Sequence, residues 1–500
     1  MDKKWAISGV DLHVELPGHR VRAGLEAALR EAVQSGRLAP GTRLPSSRAL
    51  GADLGIARNT VAEAYGQLVA EGWLTARQGS GTRVAGTGAA APSPAADARS
   101  SPGTRVHRYS LRAGLPDLSV FPRAAWLAAA RKALSAAPSQ ALGYGDPRGL
   151  PELRTALAAY LARARGVRVS PDRIVICNGF TQGLALLCQV LPEYGVTRVA
   201  VEEYGRPGPL TALAGAGLAA VMLDVDDGGA VLDPAPGAEA MLLTPAHQFP
   251  LGSVLSPGRR ADAARWAAAR GGLIIEDDYD GEFRYDRQPV GALQALAPEH
   301  VIYAGTASKT LAPGLRLGWL VLPARLAEAA ASAKAQADAH TSSIEQLTFA
   351  EFITSGAYDR HIRRARLAYR RRRDRLVDAL ARHAPGVRVT GVAAGLHAVA
   401  ELPPGQAEDE VIGRAAARGV AIEGLGDYAL RGQTRRPALL IGYAAPPEHA
   451  YTSALARLIA AIQGRLPGPV GQRRGRQSGP CSRRQNGSYS WAACRLAWIS

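Results

Sequence analysis

The sequence predicts an α/β protein in two parts: a small helical module closed by a hairpin, then a large domain with a mostly parallel sheet and a small α+β C-terminal lobe. Three observations predict this. The chain has 500 residues, more than one core normally organises, so at least two domains are expected. From about residue 11 to 85 the pattern reads helix, helix, helix and a Gly-bearing hairpin. From Tyr109 to about Leu466, helical stretches alternate with short β-branched runs, as in a sheet covered by helices.

Within the first part, Val21 to Ser35 carries Leu25, Ala28, Leu29 and Ala32 at helical spacing, and Gly36 is suited to end that helix. Ser46 and Ser47 follow Pro40-Gly41 and are placed to cap a short helix through Leu54. Gly55 then turns the chain into a third helix that begins near Arg58, which makes a helix-turn-helix. Residues 73 to 84 read as a hairpin whose Gly79-Ser80-Gly81 tip forms a wing. Residues 86 to 108 are rich in Ala, Gly, Pro and Ser and are expected to be a flexible linker.

In the second part the expected strands are Arg173 to Cys177, Val199 to Val201, Ala240 to Thr244, Leu273 to Glu276 and Val301 to Tyr303. The smaller lobe is expected at about 380 to 466. Residues 467 to 500 show no periodicity and are expected to be a disordered tail.

Composition narrows the function classes. Hydrophobic residues make up 47% with no apolar run of membrane-spanning length, and the start MDKKWAISGVDLHVE lacks a secretory signal's apolar stretch. A soluble, cytoplasmic protein with no membrane partner is expected. Cys177, Cys188, Cys481 and Cys494 have no metal-ligand spacing, so no metal site is expected. The net charge of +17 owes about a third to six arginines after residue 466 and is weak evidence for nucleic acid. A second basic run, His361 to Asp374, reads as one helix with a solvated basic face, with DNA or phosphate contact as the alternative.

A recognition helix needs short polar and basic side chains on its first turns, where it enters the major groove. Arg58, Asn59 and Thr60 fit that need. Arg43, Ser46, Ser47 and Arg48 stand at the start of the preceding helix, where backbone N–H groups and arginines can hold phosphates. Arg77, Gly79, Ser80 and Thr82 belong to the wing. The phrases Gly36-x-Leu-x-Pro-Gly-x-Arg-Leu-Pro-Ser-Ser-Arg48, Arg58-Asn-Thr-Val61, Glu71-Gly-Trp-Leu74 and Gly79-Ser-Gly-Thr82 resemble the GntR-type winged helix, which implies operator DNA as a partner.

The second part carries a different chemistry. Lys309 closes Gly305-Thr306-Ala307-Ser308-Lys309 after a β run, which puts an amine at a strand end. Seven residues on, Arg316 is spaced to return to the same pocket and clamp a phosphate. The strand ending in Glu276-Asp277-Asp278-Tyr279-Asp280 points Asp277 and Tyr279 to one side. Gly179, Phe180, Thr181 and Gln182 open an apolar helix after a strand, where helix N–H groups bind phosphate. Amine, acid, phenol and phosphate donors together are the set that pyridoxal 5'-phosphate requires. Lys309 is the expected Schiff-base residue, Asp277 is expected to face the pyridine nitrogen, Tyr279 the phenolic oxygen and Arg316 the phosphate, with Thr306 also expected to bind the cofactor.

These elements resemble fold-type I aminotransferases, and the phrases Tyr144-Gly-Asp-Pro-x-Gly149, Thr244-Pro-Ala-His-Gln-Phe-Pro250, Ile275 to Tyr285 and Gly395-Leu-His397 resemble the MocR/GabR-type regulators in particular. The resemblance runs over about residues 11 to 466. It implies a transcription regulator that senses a small amine or amino acid through external aldimine formation, with a homodimer forming the cofactor site. An active aminotransferase with an accessory DNA-binding module is the alternative. The resemblance places His247 near the phenolic oxygen and calls for a small-lobe arginine to bind an effector carboxylate, with Arg431, Arg435 and Arg436 as candidates. One departure stands out. Where the family commonly has Glu-Asp-Pro-Gly-Tyr, this chain has Glu202-Glu203-Tyr204-Gly205-Arg206, which makes Tyr204 and Arg206 candidates for a changed ligand preference.

Overall fold

The computed structural model describes residues 21–77, 81–86, 107–232, 237–285, 290–432 and 436–464, with the backbone of 6–7 and 10–11. Gly79 and Ser80 of the expected wing tip, most of the expected linker and the expected tail lie outside the described residues. The chain separates into two compact units, Met1–Val106 and His107–Ser500.

In the first unit, α1 (Val21–Gln34) buries Leu25, Leu29 and Ala32. These pack with Leu50 of α2 (Ser47–Leu54) and with Val61, Ala64, Tyr65 and Leu68 of α3 (Arg58–Ala70) in one small core. Ser46 caps α2 by accepting the Ala49 N–H at 3.2 Å, and Gly55 ends it in the left-handed conformation at φ 67°. Gly51 permits the turn for a second reason, because a Cβ there would lie 3.0 Å from the Ile56 carbonyl oxygen. β1 (Leu74–Arg77) and β2 (Gly81–Val84) form the antiparallel hairpin, buried only through Leu74 and Val84 at its base.

The second unit is organised by a seven-stranded sheet. In chain order its strands are β3 (Ile174–Cys177), β4 (Arg198–Glu202), β5 (Ala219–Leu223), β6 (Ala240–Leu243), β7 (Leu273–Asp278), β8 (Val301–Thr306) and β9 (Gly318–Val321), and in space they lie β3-β9-β8-β7-β6-β4-β5. The pairings β5-β4-β6-β7-β8 are parallel; only β9 runs against its neighbours. Parallel strands need both faces covered, which is why β3, β6 and β8 are buried throughout. The α/β architecture with a mostly parallel sheet is the expected one. A second sheet, ordered β10 (Arg388–Thr390), β11 (His397–Glu401), β13 (Ala438–Gly442) and β12 (Glu423–Gly424), is wholly antiparallel and forms the smaller lobe.

The register of β7 on β8 pairs Asp277 with Ala304 and Asp278 with Gly305. Gly305 carries no side chain because the Trp319 indole of β9 occupies that space. The basic run forms part of one helix, Ala357–His383. Arg363, Arg364, Arg370 and Arg371 are exposed there, but Arg372 is buried, with Asp117 and Glu448 each at 2.8 Å. Its charge therefore serves internal pairing. No helix among the described residues is long and apolar enough to cross a membrane, and no cluster of metal-ligating residues occurs among them.

Candidate functional site

Alternation along β7 separates its acids onto two faces. Glu276 accepts the N–H groups of Leu293 and Gln294 at 2.7 and 2.9 Å, and Asp278 meets Arg165 Nε at 2.7 Å and the Tyr303 hydroxyl at 2.8 Å. Asp277 and Tyr279 point the other way, into a cavity of about 560 Å³ that Thr306, Lys309 and Arg316 also line. Burial, reinforced by the neighbouring Asp278, pushes the Asp277 carboxyl up to about 8. Such a group has its proton tightly held unless a cation arrives. Burial, and after it the Arg206 guanidinium, pushes the Lys309 amine below its ordinary value, and its Nζ donates to the Gly114 carbonyl at 2.7 Å.

At the far end of the cavity Phe180 and Thr181 begin the helix α4 (Phe180–Val190) after Gly179, whose φ is 81°. A Cβ on Gly179 would come within 3.0 Å of Arg316 Nη2, and one on Gly318 within 2.8 Å of the Gly179 Cα. Two glycines thus let β9 and the α4 turn meet beneath the guanidinium. Arg316 itself is held in the left-handed region at φ 52° and donates to the Asn178 carbonyl at 2.5 Å. The Thr306 hydroxyl contacts Ser308 Oγ at 2.8 Å and the Leu317 carbonyl at 3.1 Å.

Several expected residues sit elsewhere than the sequence suggests. Gln182 does not line the cavity; its Oε1 accepts the Asn178 N–H at 2.7 Å and its Nε2 donates to Asp338 at 2.7 Å. Lys334, fully buried, completes that network through Asp338 and through Gln182 at 3.2 Å. His247 lies behind Tyr279, its Nδ1 3.0 Å from the phenol and 2.9 Å from Asp280 Oδ2, outside the cavity lining. Arg431 Nη1 is 2.6 Å from Asp224 and 3.4 Å from Glu203, and Arg436 is 3.6 Å from Glu401, so neither reaches the cavity. Arg435 lies outside the described residues. Tyr204 and Arg206 do line the cavity. Sequence reading missed Lys334 and Asp338, whose signal was a Lys and an Asp four residues apart on an Ala-rich helix, α5 (Ala324–Asp338).

In the first unit Arg43, Arg48, Arg58, Asn59 and Arg77 are exposed, Ser47, Thr60 and Thr82 are half-buried, and the Ser46 hydroxyl is used by its own helix cap. Gly79 and Ser80 lie outside the described residues.

Residues 111–427 match the family described as aminotransferase class I and II, and residues 22–84 match the bacterial regulatory proteins of the gntR family. The HTH-type pyridoxine biosynthesis transcriptional regulator PdxR of Corynebacterium glutamicum is 33% identical over 423 residues, covering 84% of this chain and 91% of that protein. The chain belongs to the MocR-type regulators. The probable rhizopine catabolism regulatory protein MocR of Rhizobium meliloti is also 33% identical, over 87% of this chain and 92% of its own length. Among solved structures, the kynurenine aminotransferase of Pyrococcus horikoshii, determined with PMP, superposes with a TM-score of 0.64 at 26% identity, covering 73% of this chain and 93% of that one. This MocR-type protein is therefore a DNA-binding transcription regulator that depends on pyridoxal phosphate. Its cavity suits that cofactor: it gathers the Lys309 amine, the buried Asp277 carboxyl, the Tyr279 phenol and the Arg316 guanidinium above a glycine cradle.

Proposed function

We propose that this regulator senses a small amine or amino acid in the cavity of its aminotransferase-like unit, and that sensing changes how a cytoplasmic homodimer engages operator DNA. The observation that carries the reading is the convergence of Asp277, Tyr279, Lys309 and Arg316 on one cavity. Bound there, pyridoxal phosphate would supply an aldehyde carbon able to link an amine, and Lys309 would be the residue that holds it until the effector's amine takes its place. Asp277 would face the ring nitrogen and keep it protonated. Tyr279, backed by His247 and Asp280, would donate to the phenolic oxygen. Arg316, Thr306, Thr181 and the N–H groups of Gly179 and Phe180 would receive the phosphate.

In the DNA-binding unit, Arg58, Asn59 and Thr60 read base edges from the first turn of α3, while Arg43, Arg48 and the N-terminus of α2 at Ser46 and Ser47 hold phosphates. Arg77, Gly79, Ser80 and Thr82 serve as the wing. Leu118, Leu127 and Leu142, all exposed, and Tyr144, 94% exposed, support the homodimer as apolar surface awaiting a partner copy.

Fluorescence anisotropy on the upstream intergenic DNA at fixed salt tests the reading, with and without pyridoxal phosphate and for Lys309→Ala. Specific binding that responds to the cofactor and loses that response in the variant is expected. Specific binding indifferent to both overturns the sensing role.

A further inference from the structure

We infer that Arg206 is the carboxylate receptor of the effector site, and hence that the effector is an amino acid rather than a simple amine. The inference rests on the amine-sensing reading above and adds the chemical class of the ligand.

Among the described residues that line the cavity, the cations are Lys309, Arg316 and Arg206. Lys309 supplies the amine, and Arg316 sits over the glycine cradle at the α4 end. Arg206 is left without an assigned partner. It forms no ion pair among the described residues, and its only hydrogen bond there is a long one, 3.5 Å, to the Ala113 carbonyl. The guanidinium is nevertheless aimed. It lies over the Phe249 ring at 5.1 Å and the Tyr428 ring at 5.8 Å, so two aromatic faces confine it beside the cavity.

Its position relative to Lys309 makes the case. A Cβ placed on Gly114 would lie 3.0 Å from Arg206 Nη2 and 3.8 Å from Lys309 Nζ, so both cations flank the same glycine. A ligand small enough to put its nitrogen where Lys309 reacts holds a neighbouring carboxylate within reach of that guanidinium. Beyond the effect of burial, Arg206 lowers the Lys309 pKa, as two adjacent cations repel, and an anion between them relieves the repulsion. Of the small-lobe arginines expected from the family, the two among the described residues do not compete: Arg431 is committed to Asp224 and Glu203, and Arg436 to Glu401. Arg206 stands where the family's tyrosine is usual, so the receptor is a property of this chain's sequence.

Alanine, β-alanine and ethylamine test this directly, since both amino acids lose carbon dioxide to give ethylamine. Each is titrated against the cofactor-loaded full chain, following the cofactor's absorbance spectrum as the readout of amine exchange. Arg206→Gln and Arg206→Lys are compared with wild type after their retention of pyridoxal phosphate has been measured by dialysis. Wild type is expected to half-saturate at about tenfold lower concentration or less with at least one amino acid than with ethylamine, as an ion-paired hydrogen bond allows. Arg206→Gln should remove that preference, read as the ratio of half-saturating concentrations for the amino acid and for ethylamine within the same variant, and Arg206→Lys should keep part of it. Equal responses to all three compounds in wild type, or an unchanged preference in Arg206→Gln, overturn the inference while leaving amine sensing intact. Loss of cofactor retention with the preference preserved assigns Arg206 to the cofactor and also overturns it. No spectral response to any amine overturns the amine-sensing reading itself, and this inference with it.

Discussion

Arg165 and Asp278 form a buried ion pair, Nε to Oδ2 at 2.7 Å, on the face of β7 opposite the cavity. The pair, with the Tyr303 hydroxyl, holds the strand end that presents Asp277. Removing one partner leaves the other charge buried and alone, which costs about 3–5 kcal/mol. Arg165→Met is therefore expected to lower the urea midpoint of the second unit's unfolding by a comparable free energy. Unchanged stability would show that the strand end is held by other contacts.

The carboxyl of Asp277, pushed up to about 8 by burial, gives a signed pH dependence. Its pKa is above that of an unfolded aspartate, about 3.9, so its contribution to stability is complete below that value and is lost as pH rises through about 8. Asp277→Asn should make the cofactor-free protein more stable than wild type at pH 8, by roughly 1–3 kcal/mol, with the difference closing toward pH 5. The same variant should bind pyridoxal phosphate more weakly. Thermal melts of cofactor-free protein across that range check the sign.

The glycine cradle makes Gly179→Ala more damaging than its size suggests. Its φ of 81° disfavours any side chain, and the added carbon would press on Arg316 at 3.0 Å. Cofactor affinity, measured by absorbance titration, should fall at least about tenfold. Arg316→Gln should fall by a similar factor through loss of a charged phosphate contact. Normal affinity in both variants would move the phosphate site elsewhere.

Exposed arginines and the first turn of α3 are expected to differ in kind on DNA. Arg48→Ala should weaken binding to specific and unrelated duplexes alike and reduce the slope of log affinity against log salt by about one. Asn59→Ala should cost about 1–3 kcal/mol on the operator only. Anisotropy over a salt series separates the two, and an identical loss on both duplexes for Asn59→Ala would remove it from base readout.

Much of this architecture was legible along the chain because it depends on local periodicity. The helix-turn-helix was readable from Leu25 and Leu29, the Ser46 cap and the Gly55 turn, all short-range features. The strands β3, β4, β7 and β8 were readable as β-branched runs and β6 as a short apolar run, whereas β5 and β9 were not: Ala219–Leu223 is rich in Ala, and Gly318–Val321 begins with a glycine that only the approach of Gly179 explains. The antiparallel course of β9 likewise has no local signature.

The sequence by itself determined the chemistry available: one lysine after a strand, an Asp-Asp-Tyr-Asp strand end with alternating faces, and a glycine turn ahead of an apolar helix. Covalent spacing and strand alternation decide these, and both operate over a few residues. Only the tertiary structure decided which of the remaining polar groups reach the cavity. Gln182 is diverted by Lys334 and Asp338, more than a hundred residues away in sequence, and Arg431 is drawn to Asp224 and Glu203. Arg206 is turned toward Lys309 by two aromatic rings from separate segments. A long side chain goes where its charge or its flat face finds a partner, and partners distant in sequence become neighbours only when the sheet and the smaller lobe have assembled.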